Sequence, residues 1–250
     1  MPDSSASWHQ PDLAAKFIQN VRSAIPLSIE QIDMMLRLLT AARGEQLENF
    51  MDLGCGDGVL ASAILDENPA ARGCLVDFSE EALTAARDRL HAHAGRLEFI
   101  LANYAQPGWT DLLAHAQPFD AVVSGFAAQH SPADRKRALF GEVFQLLKPE
   151  GIFINIEHVA SATRWTQSIW DDYTIDAIFG QELRESAGDR SRAEVARDYY
   201  ARAAQEAGAL APLEVQCDWL RETGFENVDC YLKVLELAVF GGQRPGRIET

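Results

Sequence analysis

Between residues 49 and 157, short apolar runs alternate with longer segments in which apolar residues recur every three or four positions. The runs predict strands and the longer segments predict amphipathic helices. The predicted strands are 49–53, 73–77, 97–101, 119–124 and 152–157, and the predicted helices between them are 59–66, 79–93 and 132–147. Because the strands are apolar throughout and alternate with helices, the pattern predicts an α/β fold, a parallel sheet covered on both faces.

The regions outside this rhythm are mostly helical. Two helices are predicted at 11–43, with Ser28 capping the second and Gly44 ending it, and we expect them to form a lid. Residues at about 160–211 carry helical patterns with no strand between them, which indicates a helical insert. A helix at 215–223 then leads into strands 227–234 and 236–241, whose short link requires an antiparallel pair. We interpret residues 1–250 as one domain.

Composition narrows the class of partner. The chain has 22 Lys and Arg against 37 Asp and Glu, which gives a formal net charge of −15. Because such a surface repels phosphate backbones, we expect a small-molecule partner and no nucleic acid. No apolar run approaches the roughly 18 residues of a membrane helix, so we expect no membrane partner. The four cysteines are dispersed, which is typical of reduced thiols in a cytoplasmic protein and indicates no metal site.

A glycine-rich turn follows the first predicted strand, in the stretch MDLGCGDG at 51–58. Glycine permits positive φ and lets a ligand approach the backbone closely. The amides at the start of the next helix point into the same space. In an open α/β sheet this turn lies at the carboxyl edge of the strands, where ligands bind.

Asp77 ends the second predicted strand, 23 residues after Gly54. A carboxylate at that place can accept both hydroxyls of a ribose, so the two features together indicate a nucleoside site. Val59 stands where the dinucleotide motif has its third glycine, which disfavours NAD. The antiparallel strand pair at the end of the chain also disfavours it.

Together these motifs resemble those of class I S-adenosylmethionine (SAM)-dependent methyltransferases, over roughly residues 25–242. The resemblance continues, in the family's order, through CLVDFSEEALTAAR, RLEFILANYAQP, PFDAVVSGFAAQH, LLKPEGIFINIEH and WLRETGFENVDCYLKVLELAVFGG. It implies a Rossmann-like seven-stranded sheet of order 3-2-1-4-5-7-6 with strand 7 antiparallel. It also implies S-adenosyl-L-methionine as cofactor and S-adenosylhomocysteine as product.

The resemblance also implies roles for residues at the carboxyl edge. Asp52 would orient the glycine loop or contact the methionine ammonium, Asp77 would bind the ribose, and Phe78 would pack on adenine. Asn103 stands where the family usually has an acidic residue that contacts the adenine amino group, and its amide oxygen can still accept that hydrogen bond. The implied cofactor-binding residues are Asp52, Gly54, Cys55, Gly56, Asp77, Phe78, Asn103, Tyr104 and Ser124.

Candidates for the acceptor side follow the fourth and fifth strands. His130, Glu157 and His158 are the predicted catalytic residues, since His titrates near neutrality and a base is needed only when the acceptor must lose a proton. His130 capping the next helix and His158 merely leaving the sheet are the alternatives. The basic run at 135–137 is expected to be a solvated helix face. Aromatic residues of the insert are expected to line a lid or to form core: Trp165, Trp170, Tyr173, Tyr199 and Tyr200.

Three functions stay open at this point. The first is methyl transfer from SAM to a small molecule. The second is a carboxy-SAM synthase-like or tRNA-modifying activity, since an Ile25-Pro26 start, Glu157 and the GF-containing end are similar to the carboxy-SAM synthase and cmo5U-tRNA methyltransferase group. The third is a SAM-binding partner subunit without catalysis. The acceptor atom and the oligomeric state are also open, a homodimer being one arrangement compatible with the sequence.

Overall fold

A computed structural model describes residues 27–44, 47–113, 115–116, 118–184, 190–205 and 210–246. The first predicted N-terminal helix and the Ile25-Pro26 start lie outside the described residues. Among the described residues, no helix combines the length and the apolar character that crossing a membrane requires.

Seven strands form one sheet. They are β1 (Asn49–Leu53), β2 (Arg72–Asp77), β3 (Leu97–Leu101), β4 (Phe119–Gly125), β5 (Leu147–His158), β6 (Glu226–Val234) and β7 (Leu237–Gln243). Their order is β3-β2-β1-β4-β5-β7-β6. The first five pair in parallel, and β7 is antiparallel to both β5 and β6. The predicted order and the antiparallel seventh strand are confirmed.

Seven α-helices lie in the described part of the chain. They are α1 (Ser28–Arg43), α2 (Val59–Glu67), α3 (Glu80–Arg89), α4 (Ala133–Leu146), α5 (Arg164–Arg184), α6 (Arg192–Gln205) and α7 (Leu213–Thr223). Short 3-10 turns occur at His91–Arg96, Trp109–Leu113 and Ala128–His130. Helices α5 and α6 occupy the predicted insert and contact each other.

Several element boundaries differ from the predictions, and three of these differences have a structural cause. Ser28 lies inside α1, and the residue at its N-cap is Leu27, in the left-handed conformation and without a side-chain cap. The helix predicted at 79–93 ends at Arg89 because the chain tightens into a 3-10 turn. Strand β5 starts earlier than predicted because Leu147 pairs with Phe119 of β4, and because Glu150 and Gly151 share two backbone hydrogen bonds with the distant Arg244. The predicted end of α1 at Gly44 is confirmed.

Alternate residues along the strands pack into two hydrophobic cores, one on each face of the sheet. Phe50, Ile154 and Ile156 belong to the core that α1 and α2 cover, whereas Met51 and Phe153 belong to the core that α4 and α7 cover. Side chains alternate across a sheet, so neighbouring residues of a strand lie on opposite faces. Because β1, β2, β4 and β5 are parallel, their carboxyl ends lie along one edge of the sheet, between the two helix layers.

Candidate cofactor and acceptor site

The glycine loop is tied to the neighbouring strand. The amides of Gly54 and Cys55 both donate to the Val76 carbonyl of β2, at 2.8 and 3.0 Å. Gly54 has a φ of 70°, and a Cβ at this position would lie 2.2 Å from the Ala127 Cβ and 2.9 Å from the Tyr104 hydroxyl oxygen. Only glycine therefore lets the loop approach the segments that follow β3 and β4.

The space above the second glycine is open. A Cβ on Gly56 would meet no atom within 4 Å, although Gly56 also has a positive φ of 54°. Its amide donates to Asp77 Oδ2 at 2.9 Å. The loop and the end of β2 thus frame an open cradle with a carboxylate at its side, which is where sequence reasoning places the cofactor.

Asp52 lies below this cradle and is buried, with 1% of its surface exposed. Its Oδ2 accepts a hydrogen bond from the Ala61 amide, in the first turn of α2, at 3.2 Å. A carboxylate at a helix N-terminus satisfies an amide that would otherwise lack a partner. This contact fits the predicted part of Asp52 in orienting the loop.

Asp77 is held in place by two backbone amides. Ser79 donates to Oδ1 and Gly56 to Oδ2, both at 2.9 Å. Because each carboxylate oxygen has two acceptor sites, the group can still accept two hydroxyls. The neighbouring Phe78 ring is 65% exposed, and an exposed ring of this size beside a rigid acceptor favours a bound planar group.

The segment after β3 carries the next two predicted residues. Asn103 is exposed, and its Oδ1 already accepts the Ala105 amide at 3.0 Å. Tyr104 is buried, and its ring meets Phe78 edge-on with centroids 6.3 Å apart. Burial above all raises the pKa of the Tyr104 hydroxyl, and the Asp77 charge adds to the effect.

Arg135, which belongs to the basic run predicted to be solvated, supports this segment. Arg135 donates from Nε and Nη2 to the Tyr104 carbonyl, at 3.0 and 2.7 Å. It also pairs with Glu142 at 2.6 Å, and Glu142 accepts the Trp109 indole N–H at 2.6 Å. The prediction of a solvated face at 135–137 is therefore wrong for Arg135, which is mostly buried, and for Lys136, which is fully buried.

The local charge is negative. Burial is the first cause that raises the pKa of the Cys55 thiol, and the charges of Asp52, Asp77 and Asp57 raise it further. Carboxylates around a loop repel a pyrophosphate and attract a sulfonium or an ammonium. Among the described residues, no group of His, Cys, Asp or Glu side chains is arranged to hold a metal ion.

Ser124 contributes through the scaffold. Its side chain is fully buried, and its hydroxyl donates to the Leu53 carbonyl at the end of β1, at 3.0 Å. Any influence of Ser124 on the site therefore acts through the positions of β1 and β4. Phe126, two residues on, has a φ of 57°, a conformation that bulky residues rarely adopt.

The three predicted catalytic residues lie in different surroundings. The backbone of His130 belongs to the 3-10 turn after β4. Glu157 is fully buried, with Lys136 Nζ 3.8 Å from its Oε1 and the Asn155 amide on its Oε2. Burial raises the pKa of Glu157 to about 7, against the opposing effects of Lys136 and Asn155. A carboxylate so enclosed is placed to support the edge from below rather than to meet an acceptor.

His158 is partly accessible, with a quarter of its side chain exposed. Its Nε2 lies 2.6 Å from Oε2 of Glu236, which the sequence pattern does not single out. The antiparallel pairing of β7 with β5 was the available signal, because it places the β6–β7 turn beside the end of β5. Of the insert aromatics, Trp170 is buried and packs 5.2 Å from the His158 ring, whereas Trp165 is 72% exposed.

A family model described as a methyltransferase domain matches residues 50–151. The matched span runs from β1 into β5 and includes the glycine loop and Asp77. Residues 50–151 therefore form a methyltransferase domain, which together with the strand order supports a class I SAM-dependent methyltransferase. S-adenosylmethionine is the cofactor of this domain, and its positive sulfonium suits the acidic, open cradle over Gly56.

Known proteins agree with this assignment. The domain is similar to the demethylmenaquinone methyltransferase of Leptospira interrogans, at 32% identity over 126 residues, 49% of this chain and 48% of the relative. The chain thus spans about half the length of that curated relative. A structure of an O-methyltransferase family protein from Burkholderia thailandensis superposes with a TM-score of 0.58 at 19% identity, covering 93% of this chain and 63% of the other. The structure of PigF with SAH gives 0.56 at 16% identity, covering 95% and 60%, and these two likenesses show the fold.

Proposed function

We propose that this protein transfers the methyl group of SAM to a small-molecule acceptor and releases S-adenosylhomocysteine. The observation that best supports this proposal is the structure of the cradle. The Gly56 amide is hydrogen-bonded to Asp77, the space above Gly56 is open, and the exposed Phe78 ring lies beside it. In this proposal Asp77 accepts the ribose hydroxyls, Phe78 covers the adenine, and the loop backbone at 54–56 lies against the methionine portion.

The bound cofactor supplies an already activated methyl group, so the protein's main contribution is positioning. The residues that provide it are rigid. The glycine loop is held by the Val76 carbonyl, the start of α2 by Asp52, and the segment after β3 by Arg135. We therefore infer that the cradle is preformed and that binding requires little rearrangement of the described residues.

Two observations support a small acceptor over RNA. The net charge is −15, and two arginines of the insert are already paired with acids of the same insert. These pairs are Arg190 with Glu182 and Asp198, and Arg192 with Asp172 and Asp176, at 2.5–3.1 Å. Paired guanidinium groups would have to lose these partners before they could bind a phosphate or the carboxylate of carboxy-SAM. The pairs thus favour neither rival activity.

We further propose that the protein works in the cytoplasm. All four cysteines are free thiols, and three of them are buried. Free thiols without disulfides are typical of a reducing compartment, which supports this location. Fractionation of the native cells, with the protein detected by an antibody, tests it directly.

Calorimetric titration of the full chain with SAM, S-adenosylhomocysteine and NAD tests the cofactor half. We expect the first two ligands to bind and NAD to give no heat of binding. Transfer of tritium from [methyl-3H]SAM to panels of small hydroxyl, amine and thiol compounds and to bulk tRNA then tests the acceptor half. Labelled tRNA with unlabelled small molecules would overturn the small-acceptor proposal, and SAM binding without any transfer would favour a partner subunit.

A further inference from the structure

The end of β5 meets the β6–β7 turn on the acceptor side of the sheet. His158 is the last residue of β5 and pairs with Leu237 at the start of β7. The Val159 amide donates to the Glu236 carbonyl at 2.7 Å, which fixes the turn against β5. The same turn brings Glu236 Oε2 to 2.6 Å from His158 Nε2.

This contact constrains the tautomer of the imidazole. An ionised carboxylate only accepts hydrogen bonds, so Nε2 carries a hydrogen, and in the neutral imidazole Nδ1 keeps its lone pair. Within the described residues, Nδ1 makes no hydrogen bond. The Glu236 side chain is 5% exposed and that of His158 is 25% exposed. A buried carboxylate behind a partly open imidazole orients a base and stabilises the imidazolium that forms when it takes a proton.

His158 faces the same side of the sheet as the glycine loop. Ile154, Ile156 and His158 alternate along β5, and the first two pack in the core that α2 covers. Helix α2 is the one that begins directly behind the glycine loop. The His158 amide also donates to Gln129 Oε1, after β4, at 3.3 Å. The imidazole is thus on the edge and the face that the cofactor cradle occupies.

The turn that carries Glu236 is strained. It consists of Leu235 and Glu236 alone, and Leu235 has a φ of 53°. A leucine in the left-handed region is disfavoured, since its Cβ crowds the backbone. Residues kept in such conformations concentrate at functional sites. The strain lies next to the residue that touches His158.

Aromatic rings border the imidazole. The Trp170 ring lies 5.2 Å from the His158 ring, and Tyr173, which is 43% exposed, continues the surface 6.4 Å from Trp170. The buried Trp170 indole N–H has no hydrogen-bond acceptor among the described residues. Flat apolar walls with a free donor fit an aromatic ring that carries an oxygen.

We propose that the acceptor is a phenolic hydroxyl compound, that His158 is its general base, and that Glu236 is the positioning residue for His158. The proposal rests on the proposed methyl transfer. The hydroxyl oxygen bonds to the methyl carbon while the carbon–sulfur bond breaks with its electron pair on sulfur. The hydroxyl proton moves to His158 Nδ1 and later to water. A neutral phenol needs this base because it is a weak nucleophile, whereas a neutral amine attacks through its own lone pair and loses its proton afterwards.

Other charged groups lie near this imidazole, and a second histidine–glutamate pair elsewhere in the sheet provides a control. Glu157 precedes it in β5, and Lys136 of α4 pairs with Glu157. From the insert, Tyr199 donates to Asp171 at 2.8 Å, and the charge of Glu236 acts on Tyr199. A matched control pair lies at the opposite edge of the sheet, where His115 Nε2 is 2.5 Å from Glu98 Oε1 of β3.

The first test measures binding and proton transfer without turnover. The S-adenosylhomocysteine complex is titrated with 4-nitrophenol below the pKa of the free dye. We expect the bound dye to show the phenolate absorption band in the wild type and in His115→Gln, and the phenol band in His158→Gln. Glu236→Gln should give an intermediate spectrum. A bound dye that stays protonated in the wild type, or a phenolate band that persists in His158→Gln, would overturn the role of His158.

The second test compares acceptors of different acidity in tritium transfer from SAM. At about pH 8.5, catechol and 2-naphthol are mostly protonated, as phenols with pKa values of about 10 are, whereas 4-nitrophenol is already ionised. We expect His158→Gln to lower kcat by roughly 100-fold or more for the two protonated phenols and by only a few-fold for 4-nitrophenol. Equal losses for all three would show a merely structural role and contradict the proposal.

Calorimetry distinguishes a failure of the proposed methyl transfer from a failure of the proposed phenolic acceptor. If neither SAM nor S-adenosylhomocysteine binds the wild type, the proposed function fails first. If both bind and amines or thiols are methylated while the phenols are not, methyl transfer stands and the acceptor class proposed here is wrong. His158→Gln should leave the SAM dissociation constant unchanged within about twofold, since the imidazole is not among the cofactor residues.

Discussion

The two halves of the carboxyl edge are built in different ways. On the cofactor side, the loop and the acid that face each other are 21 residues apart, and one strand–helix–strand unit supplies both. On the acceptor side, His158 and Glu236 are 78 residues apart and meet only after β7 has inserted antiparallel to β5. A local unit leaves a motif in the sequence, whereas a contact between distant strands leaves none. The donor half of such a reaction is therefore easier to predict from sequence than the acceptor half.

The buried pair below the acceptor edge should give the largest effect. Lys136→Met leaves the fully buried Glu157 without its cation, and we expect it to lower the free energy of unfolding by about 3–5 kcal/mol. The double variant Lys136→Met/Glu157→Gln should recover most of that loss, as measured by urea unfolding at neutral pH. A single variant as stable as the wild type would show that the acceptor edge does not depend on this pair.

The pH dependence of the same pair has a defined sign. Burial raises the pKa of Glu157 from 4.5 to about 7, so the folded state holds this proton more tightly than the unfolded state. The contribution of Glu157 to the free energy of unfolding is therefore largest below pH 4.5 and falls as the pH rises towards about 7. We expect the stability of the double variant, relative to wild type, to increase across that window. A constant difference would contradict the raised pKa.

The glycine loop is the corresponding test of the cofactor half. Gly54→Ala puts a Cβ 2.2 Å from the Ala127 Cβ at a positive φ, and we expect a loss of about 2–4 kcal/mol in stability together with the loss of SAM binding. Gly44→Ala is the matched control, with a φ of 54° and no atom within 4 Å. It should cost about 1 kcal/mol and leave SAM binding intact. If both variants bind SAM equally well, close packing of the loop is not required.

The contacts of Arg135 support the cofactor half and should have a smaller effect. Arg135→Gln removes the charged contacts to the Tyr104 carbonyl and to Glu142, which we expect to weaken SAM binding by about 1–2 kcal/mol. Arg137→Gln is the control, since its contact with Glu222 is exposed. Calorimetric affinities of both variants check this, and equal values would remove Arg135 from the cofactor site.

Relief of the strained turn should have the smallest effect. Leu235→Gly accepts the φ of 53° without strain, and we expect it to change the free energy of unfolding by at most about 1 kcal/mol. SAM affinity should stay unchanged while kcat falls, since the position of Glu236 is less well defined. Unfolding curves, calorimetry and tritium transfer measure the three quantities, and a kcat equal to that of the wild type would contradict a functional role for the strain.

The fold was largely predictable because each strand is a short apolar run and each covering helix keeps its periodicity. The order of the sheet and its antiparallel strand followed from the family resemblance and are confirmed. The early start of β5 was not predictable, because it depends on pairing with Phe119 of β4 across an irregular register and on hydrogen bonds to the distant Arg244. Lys136 and Arg135 were assigned to solvent because a basic run usually is solvated, and only packing shows that one meets Glu157 and the other Tyr104.

At the candidate site, residue types placed the side chains at one edge of the sheet but did not predict the contacts that each side chain makes. Ser124 lies near the end of β4, as predicted, but its hydroxyl donates a hydrogen bond to the Leu53 carbonyl. Asn103 likewise uses its amide oxygen within its own loop. Such assignments depend on rotamers and backbone direction, which a single sequence does not encode in any short pattern.

We propose that Asp77 and the open cradle beside it hold SAM, and calorimetry of Asp77→Ala is the sharpest test of this role. We expect SAM to bind the wild type and to bind the variant about 1–3 kcal/mol more weakly, because the ribose hydroxyls lose their acceptor. Asp218→Ala, which alters an exposed carboxylate of α7, should bind SAM as the wild type does. An unchanged SAM affinity in Asp77→Ala would contradict the account.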